Sequence, residues 1–230
     1  MQLLLISSSN VHGYGYLDHP EPEMRRILGA RKRVAFIPFA AHDHDAYTAK
    51  VSERLGRMGF EVVQVREARD LNDAEAIFTG GGNTFRLLKT LYDRNLLEPI
   101  RERVRAGIPY LGSSAGSNIA GPTIRTTNDM PIVEPPSFAA LGFVSFQLNP
   151  HYLDADAGSK HQGETREQRL LEYLEENETP VVAIREGSAL RIDGDSVTLT
   201  GDRAARLYVR GEEPVEVPPG TRLDGRFYTN

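Results

Sequence analysis

Residues 108–118 read IPYLGSSAGSN. A short apolar run ends at Gly112, three serines stand within five residues, and Gly116 follows. An apolar run of this length, bounded by turn residues, reads as a buried strand, and the small residues after it read as the opening of a helix. Gly112-Ser113-Ser114-Ala115-Gly116 also fits the pattern G-x-S-x-G, with Ser114 at its centre. That pattern demands a sharp strand-to-helix bend that lifts the central side chain above the sheet edge. Flanking glycines permit strained backbone angles and close approach of neighbouring chain. The competing reading is a polar loop in which Ser113 or Ser117 caps a helix.

Working outward, the same grammar recurs. Strand patterns cover Gln2–Ile6, residues 34–39, residues 61–65 and Ala76–Thr79, before the run at 108–111. Residues 47–58, 84–91 and 96–105 carry apolar positions at three- and four-residue spacing. Strands alternating with helices predict an α/β fold in three layers, a mostly parallel sheet with helices on both faces. From about residue 180 the register changes to short β patterns: Val181–Ile184, residues 190–192, 197–199 and 206–209, and Val215–Val217. Turn compositions separate them, so antiparallel C-terminal hairpins at the sheet edge are expected, within one domain spanning 1–230.

Composition narrows the chemistry. A chain of 230 residues can bury a sizeable core without disulfides or a structural metal. It contains no cysteine, which excludes thiol catalysis and zinc-thiolate sites and suits a reducing compartment. The start, MQLLLISSSN, has no basic residue before its short apolar run and does not read as a signal peptide. No run approaches the length of a membrane span. A net charge of -5 with no basic stripe argues against nucleic acid. A cytoplasmic protein is expected, with neither membrane nor nucleic-acid partners.

In open parallel sheets, sites form beyond the carboxyl ends of strands. The segments there are 7–10, 40–45, 80–83, 112–116 and 149–152. A serine nucleophile needs a base, most often histidine. Of His12, His19, His42, His44, His151 and His161, only His151 directly follows a long apolar strand pattern, residues 143–148, with Pro150 fixing the turn. That pattern is expected at the same sheet edge as Ser114. His42-Asp43-His44-Asp45 has chelating residue types, but no further motif of zinc spacing accompanies it, so no metal is expected. The group that orients the imidazole is Asp129 or Glu134, and pattern leaves both open. Gly80-Gly81-Gly82-Asn83-Thr84 lacks the ending of a phosphate loop. It reads instead as a second oxyanion donor, Gly81 or Gly82, beside the backbone N–H of Ala115.

At this point the chain resembles the peptidase E family, the α-aspartyl dipeptidases among serine peptidases. The residues that carry the likeness are IPFA at 37–40, GGGNTFRLLK at 80–89, GSSAGSN at 112–118, GPTIRTTNDMPIVEP at 121–135, QLNPHY at 147–152 and GETREQR at 163–169. The resemblance implies a nucleophile at Ser114, a base at His151 and an acidic partner at Asp129. It also implies a fold like that of class I glutamine amidotransferase domains, with serine in place of their cysteine. The implied reaction is hydrolysis of dipeptides with an N-terminal α-linked aspartate through an acyl-enzyme, with no metal or other cofactor. The core also resembles cyanophycinases, so hydrolysis of β-aspartyl peptides is one alternative. A non-catalytic amidotransferase-like binding scaffold is another. Ser113 stands where the family often has Trp and is expected to line the pocket. Ser117 stands where it often has Ala and is expected to be structural. The composition of residues 152–162 also departs from the family's.

Selecting an aspartyl side chain requires a local cation. Arg166 in GETREQR is the first choice, because a planar guanidinium holds a carboxylate bidentately. Arg125 is its competitor, and Thr165 and Asn83 are expected to make polar contacts. The expected partner is a small peptide, bound by a monomer or homodimer.

Overall fold

The computed structural model describes residues 1–155, 158 and 163–223. His161, one of the six histidines weighed as a base, and most of the compositionally divergent part of 152–162 lie outside them. The first half of the chain sets strands and helices in turn, as the pattern predicts except for α1: β1 (Gln2–Ile6), α1 (Glu21–Leu28), β2 (Arg33–Ile37), α2 (His44–Arg57), β3 (Glu61–Gln64), β4 (Ala76–Thr79), α3 (Thr84–Asp93), α4 (Leu97–Arg105), β5 (Tyr110–Ser113) and the single turn α5 (Ala115–Asn118). Then come β6 (Gln147–Pro150), α6 (Arg166–Glu176), β7 (Val181–Ile184), β8 (Ser188–Asp193), β9 (Ser196–Gly201), β10 (Ala205–Tyr208) and β11 (Val215–Val217).

The main sheet has seven strands in the order β3-β2-β4-β5-β1-β8-β9. Its first five run parallel, and β8 and β9 join antiparallel beside β1. Side chains alternate between faces along each strand, which sorts the core into two layers. Leu3, Leu5 and Ile77 pack with Leu87, Leu88, Ile100 and Val104 of α3 and α4 on one face. Leu4, Ile6 and Phe78 pack with Met24, Ile27, Val51 and Leu55 of α1 and α2 on the other. Each such side chain, fully buried, contributes roughly 1.5–3 kcal/mol. Asp43 and Asn83 cap α2 and α3, accepting from Ala46 N–H at 2.9 Å and Arg86 N–H at 3.0 Å.

The C-terminal strands depart from the expectation of hairpins at one edge. Only β8 and β9 extend the main sheet. Strands β7, β10 and β11 join β6 in a second sheet of order β11-β10-β7-β6, in which β6 and β7 run parallel. The reason lies in the two apolar faces of β7. Val182 and Ile184 enter the larger core cluster, whereas Val181 and Ala183 pack under Leu170 and Leu174 of α6. A strand covered on both faces has no place on a solvated edge.

Strand β6 also begins later than the 143–148 pattern suggests. The N–H groups of Phe143 and Val144 both turn to Ala120 O, at 2.9 and 3.3 Å. These apolar residues therefore pack against the chain after α5, and the ladder to β7 begins at Gln147. Helix α1 was not expected. It is short, and its buried stripe consists only of Met24, Ile27 and Leu28. No helix among the described residues is long and apolar enough to cross a membrane.

Candidate active site

Ser114 stands between the last residue of β5 and the first of α5, at φ 54° and ψ -111°. This backbone conformation costs a residue bearing a Cβ on the order of 1–3 kcal/mol and persists only where the surroundings enforce it. Here they do. Ser114 N–H donates to Ile6 O at 3.0 Å, and Ser114 O accepts from the N–H groups of Ser117 and Asn118, each at 2.9 Å. Ser117 Oγ donates to Ile6 O at 2.7 Å, so Ser117 is structural as expected. The flanking glycines contribute room, not unusual torsions. A Cβ on Gly112 would lie 2.4 Å from Gly116 O, and one on Gly116 would lie 2.1 Å from Thr79 O. Ser113 is fully buried and does not line the pocket, because alternation along β5 turns it inward.

His151 follows β6 directly and also has positive φ, 55°. Its Nε2 lies 2.8 Å from Ser114 Oγ. Ser114 and His151 therefore meet, although β5 and β6 belong to different sheets and not to one edge as expected. On the far side of the ring, Nδ1 lies 2.6 Å from Glu186 Oε1. With Nδ1–H donating to this carboxylate, the Nε2 lone pair is left facing the serine hydroxyl. The His151 and Glu186 side chains retain 38% and 44% of their exposure, so the pair faces solvent.

The acid beside the imidazole is thus Glu186, not Asp129 or Glu134. Asp129 Oδ2 accepts from Thr84 N–H at 2.7 Å and Thr84 Oγ1–H at 2.6 Å, with Thr127 Oγ1 at 3.3 Å. A carboxylate at the amino end of α3 finds both orphan donors and a favourable dipole there, which holds it away from His151. Glu134 is exposed. Glu186 stands two residues beyond β7, at a strand's carboxyl end. The rule that located the other site segments would have found it had that rule been extended past residue 152, where Glu186-Gly187-Ser188 read only as a turn.

The backbone N–H groups of the glycine loop have different partners. Gly81 N–H donates to Tyr47 Oη at 2.9 Å, Gly80 N–H to Ile37 O and Asn83 N–H to Ala40 O. Among the described residues the N–H groups of Gly82 and Ala115 have no acceptor. Gly81 serves by its missing side chain, since a Cβ there would lie 2.9 Å from Ser114 Cβ. Gly82, at φ 136°, packs its Cα against Ala40 O, where a Cβ would come to 2.5 Å.

The cleft beside Ser114 is lined by Thr84, Ala115, Asn118, Thr127, Asp129 and His151, among others. Arg166 opens α6 and has no ion-pair partner among the described residues. Burial and the neighbouring Arg169 charge hold it below the usual arginine value, with the Asp129 carboxylate opposing them. Thr165 and Asn83, expected to touch substrate, are helix caps. Thr165 Oγ1 accepts from Gln168 N–H, while Asn83 uses Oδ1 on Arg86 N–H and Nδ2 on Met130 O. Arg125 is exposed, with its guanidinium 5.5 Å from the centre of the Phe138 ring. No group of three or more His, Asp or Glu among the described residues is placed to hold a metal ion.

The model of peptidase family S51 matches residues 3–200. The chain is 54% identical over 227 residues to peptidase E of Streptomyces coelicolor, covering 97% of this chain and 93% of that one. It is 48% identical over 224 residues to a Drosophila melanogaster protein named "Probable alpha-aspartyl dipeptidase", covering 94% and 93%. The crystal structure of a peptidase from an acI-B1 actinobacterium shares the fold at a TM-score of 0.69 and 19% identity, over 97% of this chain and 96% of that one.

Proposed function

The chain belongs to peptidase family S51, and on that footing we propose that it is a serine dipeptidase releasing aspartate from α-linked Asp-Xaa dipeptides. The observation that carries the reading is the continuous contact from Glu186 through His151 to Ser114. Ser114 Oγ attacks the carbonyl carbon of the aspartyl residue while His151 Nε2 takes its proton. Glu186 holds the ring in the required tautomer and stabilises the imidazolium. The oxyanion is met by the N–H groups of Ala115 and Gly82, each donor supplying about 2.7–4 kcal/mol of barrier lowering. His151 then protonates the departing amine, the C–N bond breaks, and water attacks the acyl-enzyme with His151 as base to free aspartate.

The substrate's N-terminal residue carries an ammonium and a side-chain carboxylate. We assign the carboxylate to Arg166, the cation without an ion-pair partner at the amino end of α6. The ammonium goes to Asp129, whose Oδ2 is held by Thr84 while Oδ1 has no donor among the described residues. The complete Ser-His-Glu contact disfavours a non-catalytic scaffold, and no relative named above favours β-aspartyl peptides. We take residues 1–230 as one domain, supported by a core cluster that draws on both sheets. A cysteine-free chain suits the reducing cytoplasm, which we propose as its setting. Assaying Asp-Leu, Glu-Leu and β-Asp-Arg side by side tests the reading. Hydrolysis of Asp-Leu alone, lost in Ser114→Ala, is expected, and turnover by Ser114→Ala would overturn it.

A further inference from the structure

The tip of β1 carries a buried serine, Ser7, that the chemistry above does not use. Its hydroxyl donates to Ile184 O at 2.8 Å and accepts from His151 N–H at 2.9 Å. Its own N–H donates to Ser188 O at 3.1 Å. Ile184 and Ser188 stand two residues before and two residues after Glu186. Its neighbour Ile6 offers the carbonyl that receives Ser114 N–H. Ile6, the last residue of β1, and Ser7 just beyond it therefore touch the backbone that sets all three members of the Ser-His-Glu contact. Strand β1 belongs to the main sheet, whereas His151 and Glu186 hang from the second sheet.

We propose that Ser7 is a positioning residue of the reaction: its hydroxyl fixes the His151–Glu186 pair of one sheet in register with Ser114 of the other. The inference rests on the hydrolase reading of the site. The physical need for it is specific. His151 is held at positive φ just where the β6–β7 ladder ends at Pro150 and Ile184. Its N–H then has no strand to donate to, and a half-buried donor left without an acceptor is costly. The Ser7 hydroxyl is that acceptor, and it can accept there because its proton is committed to Ile184 O. Without it, His151 gains by relaxing toward negative φ and satisfying its N–H elsewhere, which swings the imidazole off Ser114. Ile184 O keeps the Tyr152 N–H, at 3.1 Å, so the second sheet itself stays paired.

The test is Ser7→Ala beside Ser7→Thr, Glu186→Gln and the double variant Ser7→Ala/Glu186→Gln, with Asp-Leu hydrolysis by the wild-type chain as the control for the reading beneath it. Ser7→Ala is expected to lower kcat roughly a hundredfold, the scale of a misplacement near 1 Å, with KM changed less than about threefold. Ser7→Thr, which keeps the hydroxyl, is expected to recover at least about tenfold of that loss. In the Glu186→Gln background the Ser7→Ala effect is expected to shrink to a few-fold, because groups acting as a unit are not additive. Thermal unfolding of each variant separates misplacement from collapse of the fold. Overturning outcomes are a Ser7→Ala enzyme with wild-type kcat, a loss confined to KM, or full additivity with Glu186→Gln.

Discussion

The turn after β5 and the turns after β6 and β7 build one site by different means. The first is made of local sterics. Gly112 leaves room for the chain to fold back on itself, Gly116 lets the turn sit against Thr79 of β4, and Ser114 adopts its strained torsions within one helical turn. The second pair is made of distant contacts. Ser7 and Ile184 lie 177 residues apart, and Ser7 and His151 lie 144 apart. The difference shows that the bend at Ser114 is built mainly by its own neighbourhood, whereas the His151–Glu186 contact depends on how two sheets dock. It also explains why two acids near one cleft have separate duties. Asp129 is captured by the amino end of α3, and only Glu186 reaches the imidazole.

The strongest way to break this comparison is to exchange the two acids' roles. Glu186→Gln is expected to lower kcat by about 10⁴, as loss of the orienting carboxylate does in other triads. Asp129→Asn and Arg166→Met are each expected to act mainly on KM, raising it about 10–100-fold, the worth of one charge-assisted hydrogen bond. Steady-state kinetics on Asp-Leu decides. A wild-type kcat in Glu186→Gln with a collapse in Asp129→Asn would return the acidic role to Asp129.

Two alanine substitutions sharpen the local half. Gly116→Ala places a Cβ 2.1 Å from a backbone oxygen, and backbone there has little freedom to yield. It is expected to destabilise the fold by about 3 kcal/mol, or roughly 6–12 °C in Tm for a chain of this size. Gly81→Ala meets Ser114 itself, with the new Cβ 2.9 Å from Ser114 Cβ and 3.6 Å from its Oγ. There activity is expected to fall about a hundredfold with a smaller loss of Tm. Calorimetry with kinetics on both variants would refute the steric account if Gly81→Ala kept full activity.

The smallest effect tests the distant half. Arg185, next to Glu186, donates through Nε and Nη2 to the two oxygens of Asp154, at 2.7 Å each. That contact holds the Asp154 carboxyl below its usual 3.8. A depressed carboxyl stabilises the fold above its unfolded value, and the contribution fades as pH falls through the folded one. The Asp154 side chain is 54% exposed, so no more than about 1 kcal/mol is at stake. Asp154→Asn is expected to lower Tm by about 2–4 °C at neutral pH. That difference should vanish once the pH falls well below 3.8. A difference that persists there would assign the effect to packing instead of charge.

Much of this was legible in the residues. The five parallel strands, the helices α2 to α4 and the bend at Ser114 all follow from periodicity and punctuation in short windows, whereas the sheet that carries His151 does not. What was missed shares one property. The second sheet depends on β7 being covered on both faces, and Asn83 and Thr165 became caps because helix ends take the nearest acceptor. Gly81 gave its N–H to Tyr47, a residue 34 positions away.

By itself, then, the amino-acid sequence determined the bend at Ser114, because the glycines two residues to either side mark it in a short window. Only the tertiary structure decided which carboxylate stands beside His151. Asp129 and Glu186 are both acids near strand or helix ends. What separates them is the docking of one sheet against another, a spacing that no local pattern encodes.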